Sequence, residues 1–179
     1  ALPLCEEAVQ LEEQAAGIGS ANLPSFLSNL SASYRQLDQP EQSGQQLVRA
    51  VALAESSKRP HLSWLANSNL LVHLQSQGRS SSAIVFGKRS IDLIQGMRAS
   101  LGGFQGSFSV DFMQDKYKTY RLVADLLFAE GRTDEALQVL EWLRDEESLD
   151  FTERSAAGKG RPLPRNPAEQ ALLNGFANA

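Results

Sequence analysis

Gly131 is followed five residues later by Ala136, and the same interval separates Gly78 from Ala83. In both places the glycine divides two stretches with helical apolar periodicity. Before Gly131, Tyr120, Val123, Ala124 and Leu127 stand at i, i+3, i+4 and i+7; after it, Ala136, Val139, Leu140 and Leu143 do the same. Such spacing lays one apolar stripe along a helix. The glycine between can take the left-handed conformation that ends a helix. Thr133 is the expected cap of the next helix, with Asp134 and Glu135 in its first turn, where the helix dipole favours acids. Two helices joined by so short a turn run antiparallel. One such hairpin cannot cover its apolar faces alone, so a chain built of them must stack them.

The plan recurs upstream. Leu70, Leu71 and Leu74 precede Gly78. Leu30, Tyr34 and Leu37 precede a turn expected from Asp38 to Pro40, after which come Leu47 and Ala50. Ala1, Cys5 and Ala8 repeat the spacing of Ser43, Leu47 and Ala50, so the first segment is a lone second helix. Aligned on Ala8, Ala50, Ser90 and Leu143, the units step by 42, 40 and 53 residues. A repeated two-helix unit is the signature of an α-solenoid. The longest step contains LGGFQGSFSVDFMQDK, residues 101 to 116. Its glycines predict a loop near 101 to 106, and Phe108 and Phe112 predict a helix that starts early and runs long; a flexible insert is the alternative.

Past Phe151 the apolar period stops, and SAAGKGRPLPR reads as a linker. NPAEQALLNG then fits a short helix: Asn166 is the N-cap, Pro167 the first helical residue, Glu169 the capping-box partner and Gly175 the stop. A helix so short must dock or fray. The expected organisation is a repeat array over 1–153 with about three and a half repeats, a linker over 154–165, and a short helix and tail over 166–179.

Composition removes other classes. With 42% hydrophobic and 21% charged residues, the chain has a folding composition. A net charge of −4 gives no basic excess, so no nucleic-acid partner is expected. No apolar run approaches the roughly 18 residues of a membrane span, so no membrane partner is expected either. Cys5 is the only cysteine and gives no sign of an oxidising compartment. The expected chain is soluble, with the cytoplasm favoured. It begins ALPLCEEAVQLEE, already in helical stride and without an initiator Met, and reads as a fragment or a processed form.

These residues resemble the tetratricopeptide repeat, a two-helix unit of about 34 residues. In YRLVADLLFAEGRTDEALQVLEWL, Val123-Ala124, Leu127, Gly131, Ala136, Leu140 and Leu143 fall where that pattern carries Leu-Gly, Tyr, Gly, Ala, an aromatic and Ala. Ser43 replaces the key Ala of the first unit, and Gly87 and Ser90 are poor packers in the second. The steps of 42 and 40 resemble the variant with extended helices. The end of the array, from Tyr120 to Ser155 and on into PLPRNPAEQALL, resembles the repeat region preceding a caspase-like CHAT domain in bacterial proteins. The resemblance implies an all-α, tetratricopeptide-like right-handed α-solenoid of antiparallel helix pairs. It also implies repeats that recognise a partner or regulate a downstream protease-like domain.

In tetratricopeptide arrays an Asn just before the Leu of the first helix often hydrogen-bonds a bound peptide. An amide suits this because it offers donor and acceptor together. The resemblance puts Asn29 and Asn69 in that role, while the third unit has Leu122 there. Four residues earlier, Lys118 stands where clamp-type arrays carry a carboxylate-pairing Lys, with Arg121 near; the matching residue of the first unit is Ser25. Helical projection adds Ser68, Val72, Gln75, Arg35 and Asp125 to the concave face, and each of these also reads as a solvated helix-face residue.

Enzyme chemistry finds little footing. His61 and His73 have no carboxylate or Cys at metal-ligand spacing and read as surface or helix-end residues. Cys5 reads as a small buried hydrophobe. Gly158-Lys159-Gly160 lacks the context of a phosphate loop. RDEESLDFTER reads as a solvated mixed-charge face, and Trp64 and Trp142 as packing residues. No catalysis, metal or cofactor is expected. The expected function is a protein-interaction scaffold whose groove binds a peptide or a neighbouring domain. The alternatives are a regulatory segment of a CHAT-type protein with no free partner until activated, and a small helical enzyme or ligand binder. The open apolar face at residues 1 to 16 predicts dimerisation through that end.

Overall fold

A computed structural model describes residues 2–17, 20–100, 110–152 and 163–177, with side chains described except at 98–100, 110–113, 148–152 and 177. Among these residues all regular structure is α-helix. The order is α1 Leu2–Ala16, α2 Leu23–Gln36, α3 Pro40–Ser56, α4 Pro60–Ser76, α5 Ser80–Ser100, α6 Val110–Ala129, α7 Thr133–Thr152 and α8 Pro167–Ala177. From α1 to α7 each helix packs on the next in sequence; α2 also touches α4, and α8 lies on α5. One apolar cluster runs from Val9 of α1 to Leu143 of α7 and takes in Leu163. The expected loop at 101–106, Phe108 and most of the 154–165 linker lie outside the described residues. Helix α6 runs for 20 residues from Val110, the long helix that the spacing predicts.

Four turns share one geometry. Asp38, Lys58, Gly78 and Gly131 have φ of 56, 54, 67 and 71°. One residue follows each before the next helix opens at Pro40, Pro60, Ser80 and Thr133. The amides of Gln39, Arg79 and Arg132 donate back to the carbonyls of Tyr34, Leu74 and Leu127 at 3.0, 2.9 and 2.8 Å. These bonds satisfy carbonyls that a helix end leaves open. In the α3–α4 turn the Ala54 carbonyl accepts the hydroxyls of Ser57 and Ser63 instead, at 2.6 and 3.1 Å. Thr133 is already helical, so the N-terminal cap position of α7 belongs to Arg132, whose carbonyl takes the amide of Ala136 at 3.1 Å.

A side chain at positive φ costs about 1 kcal/mol or more, and glycine avoids that cost. Lys58 is exposed and loses little packing if it is shortened. Lys58→Gly is therefore expected to stabilise the fold by about 0.5–1 kcal/mol, read as a higher urea midpoint. A lower midpoint would mean that the lysine side chain contributes more than its backbone strain removes.

The residues that departed from the repeat pattern are accommodated individually. Ser43 is buried, and its hydroxyl lies 2.8 Å from that of Ser31 on α2. Ser90 is buried 3.0 Å from the Ser68 hydroxyl on α4. Gly87 lies where α5 meets α6: a methyl group there would fall 2.3 Å from Val123 Cγ2. Gly175 does not stop α8, which continues to Ala177; the Phe176 ring stands edge-on to Phe86 with centroids 5.3 Å apart and so holds the last turn down. The N-terminus of α8 carries the expected reciprocal cap. The amide of Glu169 donates to Asn166 Oδ1 and the amide of Asn166 to Glu169 Oε2, each at 2.9 Å.

Candidate functional site

The residues assigned to a concave face divide into three groups. Asn29, Arg35, Gln75 and Asp125 are exposed, and Asn69 is half-buried. Lys118 and Arg121 are exposed but paired, with Asp115 at 3.1 Å and Glu147 at 3.0 Å. Their side chains are 71% and 61% accessible, so each pair is weak and can yield to a ligand carboxylate. Ser68 is different: its hydroxyl is engaged with Ser90 on α5, so it faces its own helix partner rather than a groove. Val72 on α4, already on the projected face, is 41% exposed, and helix periodicity adds a second apolar point, Phe128 on α6, 42% exposed. Lys118, Arg121, Asp125 and Phe128 form one stripe at i, i+3, i+7 and i+10. Phe128 is missing from the sequence-based set, although an aromatic displaced by one residue from the Leu127 stripe is a visible signal.

His73 lies in the last turn of α4, a helix end as expected, but not on the surface. It is buried against α3 at Gly44, where an added methyl group would come within 2.9 Å of Nε2. Burial, and then the charges of Arg35 and Arg79, hold its pKa below the ordinary value. The unfolded chain therefore takes up this proton first. The contribution of His73 is fully present above about pH 6.5 and is lost as pH falls from there toward the lower folded-state pKa. His73→Gln is expected to remove this component, so the drop in urea midpoint between pH 7.5 and 5.5 should shrink relative to the parent. An equal drop in both proteins would assign the acid sensitivity elsewhere.

A buried ion pair and a larger ion cluster are absent from the sequence reading. Glu146 belongs to the charge run taken as solvated, yet it is buried with Lys116 of α6 at 3.1 Å. The larger cluster centres on Lys88 of α5, whose side chain is 0% exposed. Its ammonium donates to Glu135 Oε2 at 2.5 Å, to the Pro164 carbonyl at 2.8 Å and to Glu169 Oε2 at 3.2 Å. Arg132 bridges the same two carboxylates, bonding Glu135 at 2.7 and 2.8 Å and Glu169 at 2.8 Å. Burial alone would push the Glu135 carboxyl up, but the bonds from Arg132 and Lys88 and their charges outweigh it and hold it low. One helical turn along α5, Asp92 accepts the Leu163 amide at 3.1 Å and pairs with Arg165. Burial dominates there and raises the Asp92 pKa against those partners. Together these groups fix residues 163–177 on α5 and the start of α7.

Cys5 is half-buried, with Sγ 3.3 Å from the Ser33 hydroxyl, and Trp64 is buried beside His61, which is exposed. Among the described residues no group of three His, Cys, Asp or Glu side chains could hold a metal ion, and no helix is long and apolar enough to cross a membrane.

No protein-family model matches the sequence, and no curated protein matches it. Among solved structures, the crystal structure of BtubC (BKLC) from P. vanneervenii is similar, with a TM-score of 0.67 and 16% identity over 92% of this chain and 59% of that one. The chain thus spans less than two thirds of that neighbour's length, and the likeness is one of fold.

Proposed function

We propose that this chain is a protein-interaction scaffold: a tetratricopeptide-like, right-handed stack of helix pairs whose first helices, α2, α4 and α6, line a groove for a peptide or a neighbouring domain. The observation that carries the reading is the set of exposed stripes on these alternate helices, together with the contact of α2 with α4 across the intervening α3. The chemistry of the stripes suits an extended peptide. Asn29 and Asn69 offer amides to its backbone, Arg35, Lys118 and Arg121 offer charge to a carboxylate, and Val72 and Phe128 offer apolar contact. Stacking supports this use, because each pair needs its neighbours for a core and the stack then presents one continuous face.

The test begins with short peptides selected from a random library on the immobilised protein, with affinity measured by fluorescence anisotropy. Replacing both Asn29 and Asn69 by alanine is expected to weaken a groove-bound peptide about tenfold, close to the loss of one or two hydrogen bonds. Unchanged affinity across the selected peptides would sink the groove assignment.

A further inference from the structure

We infer that residues 163–177 are a brace: they fix the angle between the helix pairs α4–α5 and α6–α7, and so set the span of the groove from α4 to α6. The functional half of this inference rests on the groove proposed above, whereas the brace itself rests on the ion cluster. The two junctions of the stack are built differently. The first is closed by α3 on α4 and by α2 on α4. At the second, α5 packs on α6, but among the described residues α4 does not pack closely on α6, nor α5 on α7. A single helix–helix contact leaves one pair free to rock on the other. At Gly87 the two helices come so near that a methyl group would meet Val123 Cγ2 at 2.3 Å, which makes this contact the pivot.

The segment supplies the missing side. Glu169 of α8 accepts from Lys88 Nζ of α5 at 3.2 Å and from Arg132, at the start of α7, at 2.8 Å. Glu135 of α7 accepts from the same two cations at 2.5 and 2.7 Å. Lys88, Glu135, Arg132 and Glu169 thus close a ring of alternating charge across α5, α7 and α8. Beside it, Asp92 of α5 holds the Leu163 amide and the Arg165 guanidinium, and Phe176 packs on Phe86. The Pro164 carbonyl and Glu169 also keep water from the fully buried Lys88 ammonium. Without the segment, the Lys88–Glu135 tie that remains is hydrated, and a hydrated pair holds little. The α6–α7 pair can then turn about the α5–α6 contact. That motion carries Lys118, Arg121 and Phe128 of α6 out of register with Asn69 and Val72 of α4, so a peptide that spans both helices loses one set of contacts.

The test uses full-length variants altered only in the segment. Leu163→Ala with Arg165→Ala removes its apolar anchor and its pairing with Asp92; Glu169→Gln opens the charge ring and keeps the side chain's shape. Hydrogen exchange across 163–177 reports release of the segment. Spin labels on the exposed positions Gln77→Cys, at the end of α4, and Glu141→Cys, on α7, read the distance across the junction in a Cys5→Ala background. Gln45→Cys on α3 with Gln77→Cys is the control that does not cross it. The distance between 77 and 141 is expected to shift and broaden in the double variant, and less so in Glu169→Gln, while that between 45 and 77 stays as in the parent. A selected peptide whose affinity depends on both Asn69 and Arg121 is expected to bind the double variant about fivefold more weakly or worse. A released segment with an unchanged distance between 77 and 141 would overturn the brace. A changed distance with unchanged peptide affinity would overturn its control of the groove. If circular dichroism shows that the double variant has lost its helices, Glu169→Gln decides the matter by the same readings. A library that yields no peptide dependent on Asn69 and Arg121 would count against the groove alone, and the distances would still decide the brace.

Discussion

Alanine at position 87 is expected to destabilise the protein by about 2 kcal/mol, although alanine is the better helix former. Position 87 lies inside α5, where the gain in helix propensity over glycine is about 1 kcal/mol. Against it stands the methyl group, which would meet Val123 Cγ2 at 2.3 Å and two Leu71 methyls at 3.3 and 3.4 Å. Val123 is fully buried, and its branched side chain has few rotamers to retreat into. Relief requires α5 and α6 to move apart, and overpacking of this kind costs up to about 3 kcal/mol. Gly96, on the same helix with open space around it, gives the opposite sign: Gly96→Ala should add about 1 kcal/mol. A double-mutant cycle isolates the contact, because adding Gly87→Ala to Val123→Ala should cost far less than adding it to the parent. A Gly87→Ala protein as stable in urea as the parent would show that the two helices separate easily.

The helices were legible because each carries its apolar stripe in consecutive residues. The turns at Gly78 and Gly131 were legible through glycine and the one from Asp38 to Pro40 through its proline, whereas the turn at Lys58 was not read. Asp38 and Lys58 take the same left-handed conformation as Gly78 and Gly131, but at a residue with a side chain that conformation is not announced by the residue type as it is by glycine. Spacing could have supplied a signal, since positions 38, 58 and 78 are 20 residues apart. Ser43 looked like a defect because its partner Ser31 is on another helix, and pairing needs the register between helices. His73 stands at a helix end as expected, but its burial was hidden for the same reason: it packs where Gly44, on a different helix, has no side chain.

The ion clusters were partly written in the sequence. Lys88 stands with Ile84, Gly87 and Ile91 on one apolar stripe, and a lysine in that setting needs a buried partner. Glu146 extends the stripe of Val139 and Leu143 by three residues, but its acidic neighbours made it look solvated. What sequence could not supply was the identity of the partners. Glu135 and Glu169 are 34 residues apart, and only the fold brings both to Lys88. The groove residues present the opposite difficulty, because exposed polar side chains on a helix look alike whether or not a ligand uses them.

Lys88→Met is expected to release residues 163–177 while leaving the helical array folded. Methionine fills similar space but donates nothing. The Pro164 carbonyl loses its donor, and the carboxylates of Glu135 and Glu169 keep only Arg132 between them. Removing one partner from a buried charge cluster costs about 3–5 kcal/mol. The segment need not bear that cost, because undocking returns Glu169 to water and leaves Glu135 with Arg132. An 11-residue helix has little stability once it leaves its seat. The loss should therefore be local, with a far-UV dichroism change the size of α8 alone and amide exchange rising across 163–177 but not across α2 to α4. Trypsin should cut after Arg165, a bond that follows a guanidinium now engaged with Asp92. Leu163→Ala should give a weaker version of the same pattern, since it removes apolar burial but keeps every ion pair. If Lys88→Met instead unfolds the whole chain in one cooperative step, the segment is part of the core, and its seat cannot open without unfolding the array.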